Sequence, residues 1–187
     1  MITVLSFYKI QKIKNLKALK NLFFKKINSL SIKGLVVLSP EGINGTLAGD
    51  IKKINIIKKI IFNNLHISKF DIQNITKCKF TPFLKIKIKI KSEVVPINEK
   101  YNFDKKLKKK YLTPLEWNKF LDRKNFKIID ARKPFEYEIG TFKKAINPNT
   151  YNFRDFKHYL STVRKNEKIG MFCTGGIRCE KASNYLY

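Results

Sequence analysis

Hydrophobic and polar positions over residues 1–91 follow two different periods. Short runs of apolar and β-branched residues predict strands, and residues 84–91 alternate strictly, with isoleucines inward and lysines outward. Apolar residues spaced mostly three and four apart predict amphipathic helices over residues 13–27 and 50–61, the second with Asp50 as its N-cap. The predicted strands cover residues 2–7, 35–38, 43–47, 70–75 and 84–91. The first four of these strands and the two helices follow the order β-α-β-β-α-β, which predicts a ferredoxin-like α+β sandwich over residues 1–91.

A second α/β pattern begins at Thr113, after a segment of different character. Residues 92–112 contain Pro96 and a basic run from Lys105 to Lys110, and we interpret them as a linker or surface-crossing arm. Thr113, with Pro next and Glu116 three positions on, has the spacing of a capping box. The predicted elements are a helix over 113–122, a strand over 126–129, a helix over 152–164, a strand over 168–172 and a last helix from about Arg178. Residues 113–187 therefore predict a second α/β domain.

The charge of the chain is strongly positive and has two interpretations. Forty basic residues face fourteen acidic ones, which gives a formal net charge of +26. Only five of the basic residues are Arg, and the abundance of Lys, Ile and Asn is what an AT-rich genome encodes whatever the protein does. The alternative is a surface that binds polyanions such as RNA through its lysines. Composition by itself leaves both open.

Cysteine content and hydrophobic run length indicate a cytoplasmic protein. Cys78, Cys173 and Cys179 form an odd set with no regular spacing, which argues against a secreted disulfide framework. The chain has no run of eighteen apolar residues and no basic segment before its first apolar stretch, so we expect neither a membrane span nor a cleavable signal. With no C-x-x-C pair and two histidines, we expect no structural metal site.

Chemistry concentrates in the segment from Gly170 to Ser183. A short predicted strand leads into Cys173, and the loop that follows, Thr174-Gly175-Gly176-Ile177, ends at Arg178. A thiolate is the nucleophilic form of cysteine, and glycines let a loop turn its N–H groups toward an anion. The next helix adds its positive N-terminal end, and Arg178 adds a full charge. We expect a lowered pKa at Cys173 and an anionic adduct such as a persulfide held in the loop.

The spacing of this loop narrows its chemistry. Cys173 and Arg178 form a C-x4-R pattern, one residue shorter than the C-x5-R loop with which cysteine phosphatases wrap phosphate. Six residues suit a single sulfur or oxygen substituent better than a tetrahedral phosphate. The structural alternative is a glycine-rich strand-to-helix turn that holds a buried cysteine.

Three further residues have a functional and a structural interpretation. Cys179 lies just past the loop and could be a resolving thiol or second redox centre, or a cysteine packed on a helix face. Asp130 and Arg132 follow a predicted strand at its carboxyl end, where open α/β sheets place functional groups. For this pair we favour the alternative, a structural ion pair that ties the loop down.

These motifs resemble known families at two levels. Asp130-Ala-Arg132, Glu136, the G-x-F-x-x-A stretch at 140–145 and the C-T-G-G-I-R loop resemble a rhodanese domain. The wider set of motifs, at residues 39–49 (SPEGINGTLAG), 111–117 (YLTPLEW), 138–142 (EIGTF) and 171–183 (MFCTGGIRCEKAS), is similar to the rhodanese-like tRNA uridine-34 hydroxylase family. The similarity runs from residue 3 to residue 187.

The resemblance implies an activity that the residues by themselves do not. It implies oxygen-dependent hydroxylation of the wobble uridine of tRNA to 5-hydroxyuridine, with molecular oxygen as co-substrate, tRNA as partner and Cys173 as the reactive cysteine. Because the family continues past the helix in which this chain ends at Tyr187, it also implies a rhodanese-like domain shortened at its C-terminus.

Two other functions stay open from the residues alone. The loop chemistry suits a sulfurtransferase that carries a persulfide on Cys173, and the lysines suit a non-catalytic RNA-binding protein. The intact loop argues against the second of these. A plain sulfurtransferase would not need the motif at residues 39–49, although that motif could also be only a tight hairpin.

Overall fold

The chain folds into two compact units. The computed structural model describes residues 1–105, 111–123 and 126–186. The first unit is Met1–Val94 and the second is Val95–Tyr187, and each is described by itself.

A five-stranded sheet with two helices forms the first unit. Its strand order is β4-β1-β3-β2-β5, in which β2 and β5 pair in parallel and the other neighbours are antiparallel. The elements are β1 (Ile2–Ile10), α1 (Leu16–Ser29), β2 (Lys33–Ser39), β3 (Gly42–Gly49), α2 (Ile51–Leu65), β4 (Ile72–Cys78) and β5 (Ile86–Ile90). The predicted ferredoxin-like βαββαβ order is confirmed, with β5 as an added edge strand.

One hydrophobic core lies between this sheet and its helices. Leu5, Val36 and Leu47 on the strands meet Phe23 and Ile57 on the helices, and all five are fully buried. Successive strand residues point to opposite faces of a sheet, so the period-two positions supply one side of this core. Burial of each such side chain contributes about 1.5–3 kcal/mol to folding.

Local sequence signals place two boundaries of the first unit. The carboxylate of Asp50 accepts hydrogen bonds from the backbone N–H of Lys52 at 2.8 Å and of Lys53 at 3.4 Å, so the predicted N-cap is confirmed. In β5, Ile86 and Ile88 are buried as predicted, but Ile90 is 37% exposed. As an edge strand, β5 has a neighbour on one side only, which leaves its last residue less covered.

The fourth strand begins later than its sequence predicts. Phe70, the first residue of the predicted strand, is buried and stacks on Phe7 with ring centroids 4.3 Å apart. The carboxylate of the next residue, Asp71, accepts hydrogen bonds from Ile10 N at 2.8 Å and from Lys9 Nζ at 2.7 Å. These contacts hold residues 70–71 in place beside β1, and ladder pairing of β4 starts at Ile72.

The motif at residues 39–49 forms the hairpin between β2 and β3. Ser39 pairs with Gly42 across a two-residue loop, and Ser39 Oγ accepts a hydrogen bond from Glu41 N at 3.1 Å. The Glu41 carboxylate is buried, and its Oε2 accepts a hydrogen bond from Val94 N at 3.2 Å. In the first unit this geometry agrees with the tight-hairpin interpretation and ties the hairpin to the end of the unit.

The second unit contains a parallel sheet between helices. Its strand order is β7-β6-β8, and β6 pairs in parallel with both neighbours. The elements are α3 (Pro114–Leu121), β6 (Lys127–Asp130), α4 (Pro134–Ile139), β7 (Ala145–Ile146), α5 (Phe156–Ser161), β8 (Ile169–Phe172) and α6 (Ile177–Leu186). Ile128 packs in a cluster with Phe120 of α3, and Ile129 packs in another with Phe156 of α5 and Ala182 of α6.

The start of α3 follows its sequence signal. Thr113 Oγ1 accepts a hydrogen bond from Glu116 N at 3.3 Å, and Glu116 Oε2 accepts one from Thr113 N at 2.9 Å. This is the predicted capping box, and it is confirmed.

The fifth helix is shorter than its sequence predicts. The prediction covered residues 152–164, whereas α5 spans Phe156–Ser161. Phe156 and Leu160, four positions apart, supply the apolar signal and are buried. The Thr162 hydroxyl donates to the Tyr159 carbonyl at 2.8 Å, and such a side-chain bond competes with continuation of the helix. The prediction was therefore wrong in extent.

The described part of the predicted linker is packed rather than extended through solvent. Val94 belongs to the first unit, while Val95 begins the second, and Ile97 is fully buried beside Ile129 and Phe156. In the second unit, Asn102 N donates to Asn184 Oδ1 at 2.9 Å. We call residues 95–105 the arm. Most of the predicted basic run, residues 106–110, lies outside the described residues.

Gly170 of β8 lies directly against α3. A Cβ atom at this position would overlap Phe120 Cε1 and would come within 3.2 Å of Trp117 Cη2. The rings of Phe120 and Trp117 stack with centroids 5.4 Å apart, so α3 can approach β8 only over a glycine.

We expect Gly170→Ala to destabilise the second unit by about 1–3 kcal/mol, because Phe120 must leave its rotamer or α3 must move away. Urea unfolding followed by Trp117 fluorescence measures this loss. The matched control is Gly175→Ala, since a Cβ there meets nothing within 4 Å. Equal stability of the two variants would contradict the prediction.

Candidate active site

Cys173 lies at the carboxyl edge of the parallel sheet in the second unit. It follows β8 directly, and α6 begins four residues later at Ile177. Asp130 is the register partner of Phe172, and Ala131 N donates to the Phe172 carbonyl at 3.0 Å. The chain therefore leaves β6 and β8 side by side, at the edge where open α/β sheets carry their sites.

The loop after Cys173 turns back onto the sulfur. Gly176 has a φ of 82°, in the left-handed region that glycine adopts without strain. In this conformation Gly176 N donates a hydrogen bond to Cys173 Sγ at 3.1 Å. Thr174 and Gly175 are exposed, whereas Ile177 is buried and anchors the start of α6. The four predicted loop residues thus divide into an exposed rim and a buried base.

The pKa of the Cys173 thiol is lowered from its ordinary value of 9.0 to about 5. The largest cause is a hydrogen bond from the Cys179 side chain, and backbone N–H groups at the start of α6 and the charge of Arg178 act in the same direction. Burial opposes them but is outweighed. At neutral pH Cys173 is therefore a thiolate, the reactive form.

Arg178 forms a bidentate ion pair with Glu136 of α4. Its Nη1 and Nη2 lie 2.9 Å and 3.0 Å from the two carboxylate oxygens, and Nη2 also donates to Thr174 Oγ1 at 3.1 Å. The Thr174 hydroxyl donates to the same carboxylate. Arg178 thus joins α6, the loop and α4, and part of its charge is balanced by Glu136.

Glu136 is a site residue whose role the local sequence pattern does not indicate. The pKa of its carboxyl is lowered from 4.5 to about 2, chiefly by the hydrogen bonds from Arg178 and then by those from Thr174 and the Lys133 backbone. It appeared only as part of the rhodanese resemblance. Its local signal is its place two residues after Pro134, at the start of α4. Its partner lies 42 residues away, which no local pattern indicates.

The Asp130–Arg132 pair has the geometry of a structural clamp. The Asp130 carboxylate is fully buried, and Arg132 Nε and Nη2 donate to its two oxygens at 2.8 Å and 2.6 Å. Thr141 Oγ1 also donates to this carboxylate at 3.0 Å, and Arg132 Nη2 reaches the Gly140 carbonyl at 2.6 Å. These bonds hold the segment after α4 against the sheet and leave Asp130 no exposed surface. The structural interpretation therefore suits the pair better than a redox role.

Cys179 lies on the first turn of α6, in contact with the Cys173 thiol. It is half-buried and packs with Cys173 against the core around Ile129. The pKa of Cys179 is raised well above 9.0, first by its hydrogen bond to Cys173 and then by burial. Cys179 therefore remains a thiol while Cys173 is ionised, and it serves as a hydrogen-bond donor to the thiolate.

The third cysteine belongs to the first unit. Cys78 is free and lies at the end of β4 in the first unit. Within residues 1–105, 111–123 and 126–186, no three His, Cys, Asp or Glu side chains lie close enough together to hold a metal ion. No helix in the same ranges is long and apolar enough to cross a membrane.

The loop and the parallel sheet define a rhodanese-type domain. Residues 113–187 match the rhodanese-like domain family, and residues 2–94 match the UPF0176 acylphosphatase like domain. A Legionella pneumophila protein named tRNA uridine(34) hydroxylase is 36% identical over 99% of this chain and 74% of its own length. The chain belongs to the tRNA uridine(34) hydroxylase family.

Two further relatives bear the same name, and this chain covers a different share of the length of each. The Pelagibacter ubique protein is 45% identical over 190 residues, which are all of this chain and 62% of the relative. The Synechocystis protein is 40% identical over 160 residues, which are 84% of this chain and 57% of the relative. This chain therefore spans about three fifths of the length of these two relatives.

We expect Cys179→Ala to raise the pKa of Cys173 more than Arg178→Ala does. The Cys179 hydrogen bond contributes most to the lowered pKa, whereas the Arg178 charge is partly balanced by Glu136. The rate of alkylation by iodoacetamide, followed from about pH 4 to pH 9, rises through the pKa of the thiol. The wild-type midpoint should lie near pH 5, and both variants should shift it upward.

These measurements use a Cys78→Ser background, so that Cys78 does not react. A midpoint that is the same in all three proteins would remove both side chains from control of Cys173. A larger shift for Arg178→Ala would contradict the predicted order.

Proposed function

We propose that this chain hydroxylates uridine 34 of tRNA to 5-hydroxyuridine, with molecular oxygen as co-substrate and Cys173 as the reactive residue. The observation that carries the proposal is the similarity over 99–100% of the chain to relatives named tRNA uridine(34) hydroxylase, with the Cys173 loop intact. The cytoplasm, where tRNA is modified and used, is the compartment that this proposal implies.

Ionisation of Cys173 supports a role in chemistry rather than in packing alone. With a pKa of about 5, the sulfur carries a negative charge at neutral pH. Gly176 N–H and the start of α6 stabilise that charge, and the exposed rim at Thr174 and Gly175 leaves the loop accessible. In this proposal Arg178 and Glu136 position the loop, and the thiolate is the group that reacts.

The alternative is a sulfurtransferase that carries a persulfide on Cys173. The specific observation in its favour is the same hydrogen bond from Gly176 N, because a loop that stabilises a thiolate also stabilises a terminal persulfide anion. The two activities differ in the atom that reaches the nucleoside, oxygen in one and sulfur in the other.

We expect Cys173→Ser to lower formation of 5-hydroxyuridine by at least about a hundredfold, because a serine hydroxyl is not ionised at neutral pH. Stability should change by less than about 0.5 kcal/mol, since the loop backbone and not the sulfur sets the fold here. Mass spectrometry of wobble nucleosides from cells with the wild-type or variant chain measures the first quantity. Urea unfolding measures the second.

The matched control is Cys78→Ser, which removes a thiol of the first unit and should leave the nucleosides unchanged. Growth under ¹⁸O₂ tests the co-substrate, since the label should enter the hydroxyl group. Wild-type levels of 5-hydroxyuridine with Cys173→Ser would overturn the assignment of Cys173. Loss of a thiolated nucleoside instead would establish the sulfurtransferase.

A further inference from the structure

A basic cavity lies between the arm and α6 within the second unit. Its volume is about 290 Å³. This is close to the lower end of the roughly 300–1,000 Å³ typical of small-molecule sites, so it suits one nucleotide-sized group. The lining residues are Ile97, Glu99, Lys100, Asn102, Lys105, Lys181, Asn184 and Tyr185.

Positive charge dominates the wall of this cavity. Lys100 and Lys105 of the arm line it together with Lys181, which is only 1% exposed, against one carboxylate, that of Glu99. Glu99 is already engaged by a fourth lysine, because Lys157 Nζ lies 2.6 Å from its Oε1. The pKa of Glu99 is accordingly lowered, first by the hydrogen bond from Lys157 and then by its charge, with Lys181 and Lys105 adding to the effect.

Two asparagine amides fix part of the arm to α6, and Lys100 and Lys105 retain N–H groups for a ligand. Asn102 and Asn184 bond each other twice, through Asn102 N to Asn184 Oδ1 and Asn184 Nδ2 to the Asn102 carbonyl, both at 2.9 Å. Lys105 Nζ uses one of its three donors on the Asn184 carbonyl, at 2.8 Å. Lys100 is exposed and forms no ion pair or hydrogen bond with another described residue.

Two tyrosines hold the other side of α6. Tyr101 Oη donates to Glu180 Oε1 at 2.7 Å, and the Tyr111 hydroxyl donates to the other oxygen of this buried carboxylate. The cavity is therefore bounded by a segment of chain that is hydrogen-bonded to α6.

The cavity lies on the helix that begins at the reactive loop. Lys181 is three residues after Arg178, so the two lie about one helical turn apart, with about 4.5 Å between them along the helix axis. Tyr185, at the far end of the cavity, follows Lys181 by about 6 Å along the same axis. A phosphate in the cavity and a base at Cys173 can thus belong to one short RNA segment.

We infer that this cavity binds a backbone phosphate of the RNA substrate and so anchors the nucleotides next to the one that reaches Cys173. The inference rests on the proposed function for the identity of the substrate. Lysine binds phosphate as a point charge. Unlike arginine, it does not need to align a planar group with the oxygens that it contacts. The cavity would thus provide a specific phosphate contact in a chain whose composition shows only a net charge of +26.

The test compares two pairs of charge removals in the full chain. One variant carries Lys100→Gln and Lys105→Gln, and the glutamine amide of the second substitution retains an N–H donor for the Asn184 carbonyl. The matched control carries Lys87→Gln and Lys89→Gln, which removes two exposed lysines of β5 in the first unit. Binding of an anticodon stem-loop with unmodified uridine 34 is measured by fluorescence anisotropy over a series of salt concentrations.

We expect the cavity variant to bind more weakly. The dependence of log affinity on log salt should become less steep by about 1, as for loss of one phosphate contact. The control should change the slope by less than half as much. Equal changes in both variants, or none in either, would overturn the inference. Lys100→Glu by itself should weaken binding in the same direction, and since Lys100 is exposed, the fold of this variant should be preserved.

Two further measurements distinguish other outcomes. If inorganic phosphate or uridine monophosphate saturates the cavity while the RNA slope is unchanged between variants, the site serves a free phosphorylated ligand and the inference fails. The proposed function is tested independently, by comparing 5-hydroxyuridine formation by the wild-type chain and by Cys173→Ser. A wild-type chain that forms no 5-hydroxyuridine but shows the cavity-dependent slope would overturn the function and leave the phosphate site standing.

Discussion

Parallel pairing between β6 and β8 determines where Cys173 and the charged side chains around it lie. The register sets Asp130 opposite Phe172, and the hydrogen bond from Ala131 N to the Phe172 carbonyl extends it by one residue. Both strands therefore end at one edge, and the Cys173 loop leaves the sheet beside the turn at Asp130. A slip of one residue would send the side chains of β8 to the wrong faces. Gly170 lets Phe120 of α3 pack onto β8, where a Cβ atom would overlap its ring.

Two arginine–carboxylate pairs stabilise this edge in different ways. The carboxylate of Asp130 is fully buried, and Arg132 meets it at 2.6 Å. Loss of one partner there would leave a buried charge, which makes the pair a fixed part of the fold. The side chains of Arg178 and Glu136 are 18% and 19% exposed, so their pair borders solvent at the mouth of the loop. It holds α4, the loop and α6 together while still contributing positive charge near Cys173.

Negative charge is stabilised at two scales in this protein. Around Cys173 the stabilisation is local and comes from hydrogen bonds, from Gly176 N and from the Cys179 thiol. At the cavity beside the arm it comes from lysines spaced over several ångströms. The first suits one sulfur atom and the second a phosphate group. The excess of lysine over the whole chain would add attraction that acts over about 8–10 Å at ordinary salt and carries no positional information.

Local signals in the sequence determined most of the elements and singled out the Cys173 loop. The Asp50 cap, the Thr113 capping box and the alternation at Ile86 and Ile88 were predictable because each depends on residues within four positions of one another. The strand–Cys173–glycine–Arg178 segment was recognisable for the same reason. Tertiary structure decided what depends on distant partners. Glu136 meets Arg178 across 42 residues, and Tyr101 meets Glu180 across 79, so that residues expected to form a linker pack against α6. Periodicity and capping report a chain's contacts with its near neighbours, whereas these hydrogen bonds form only after the sheet has brought separate segments together.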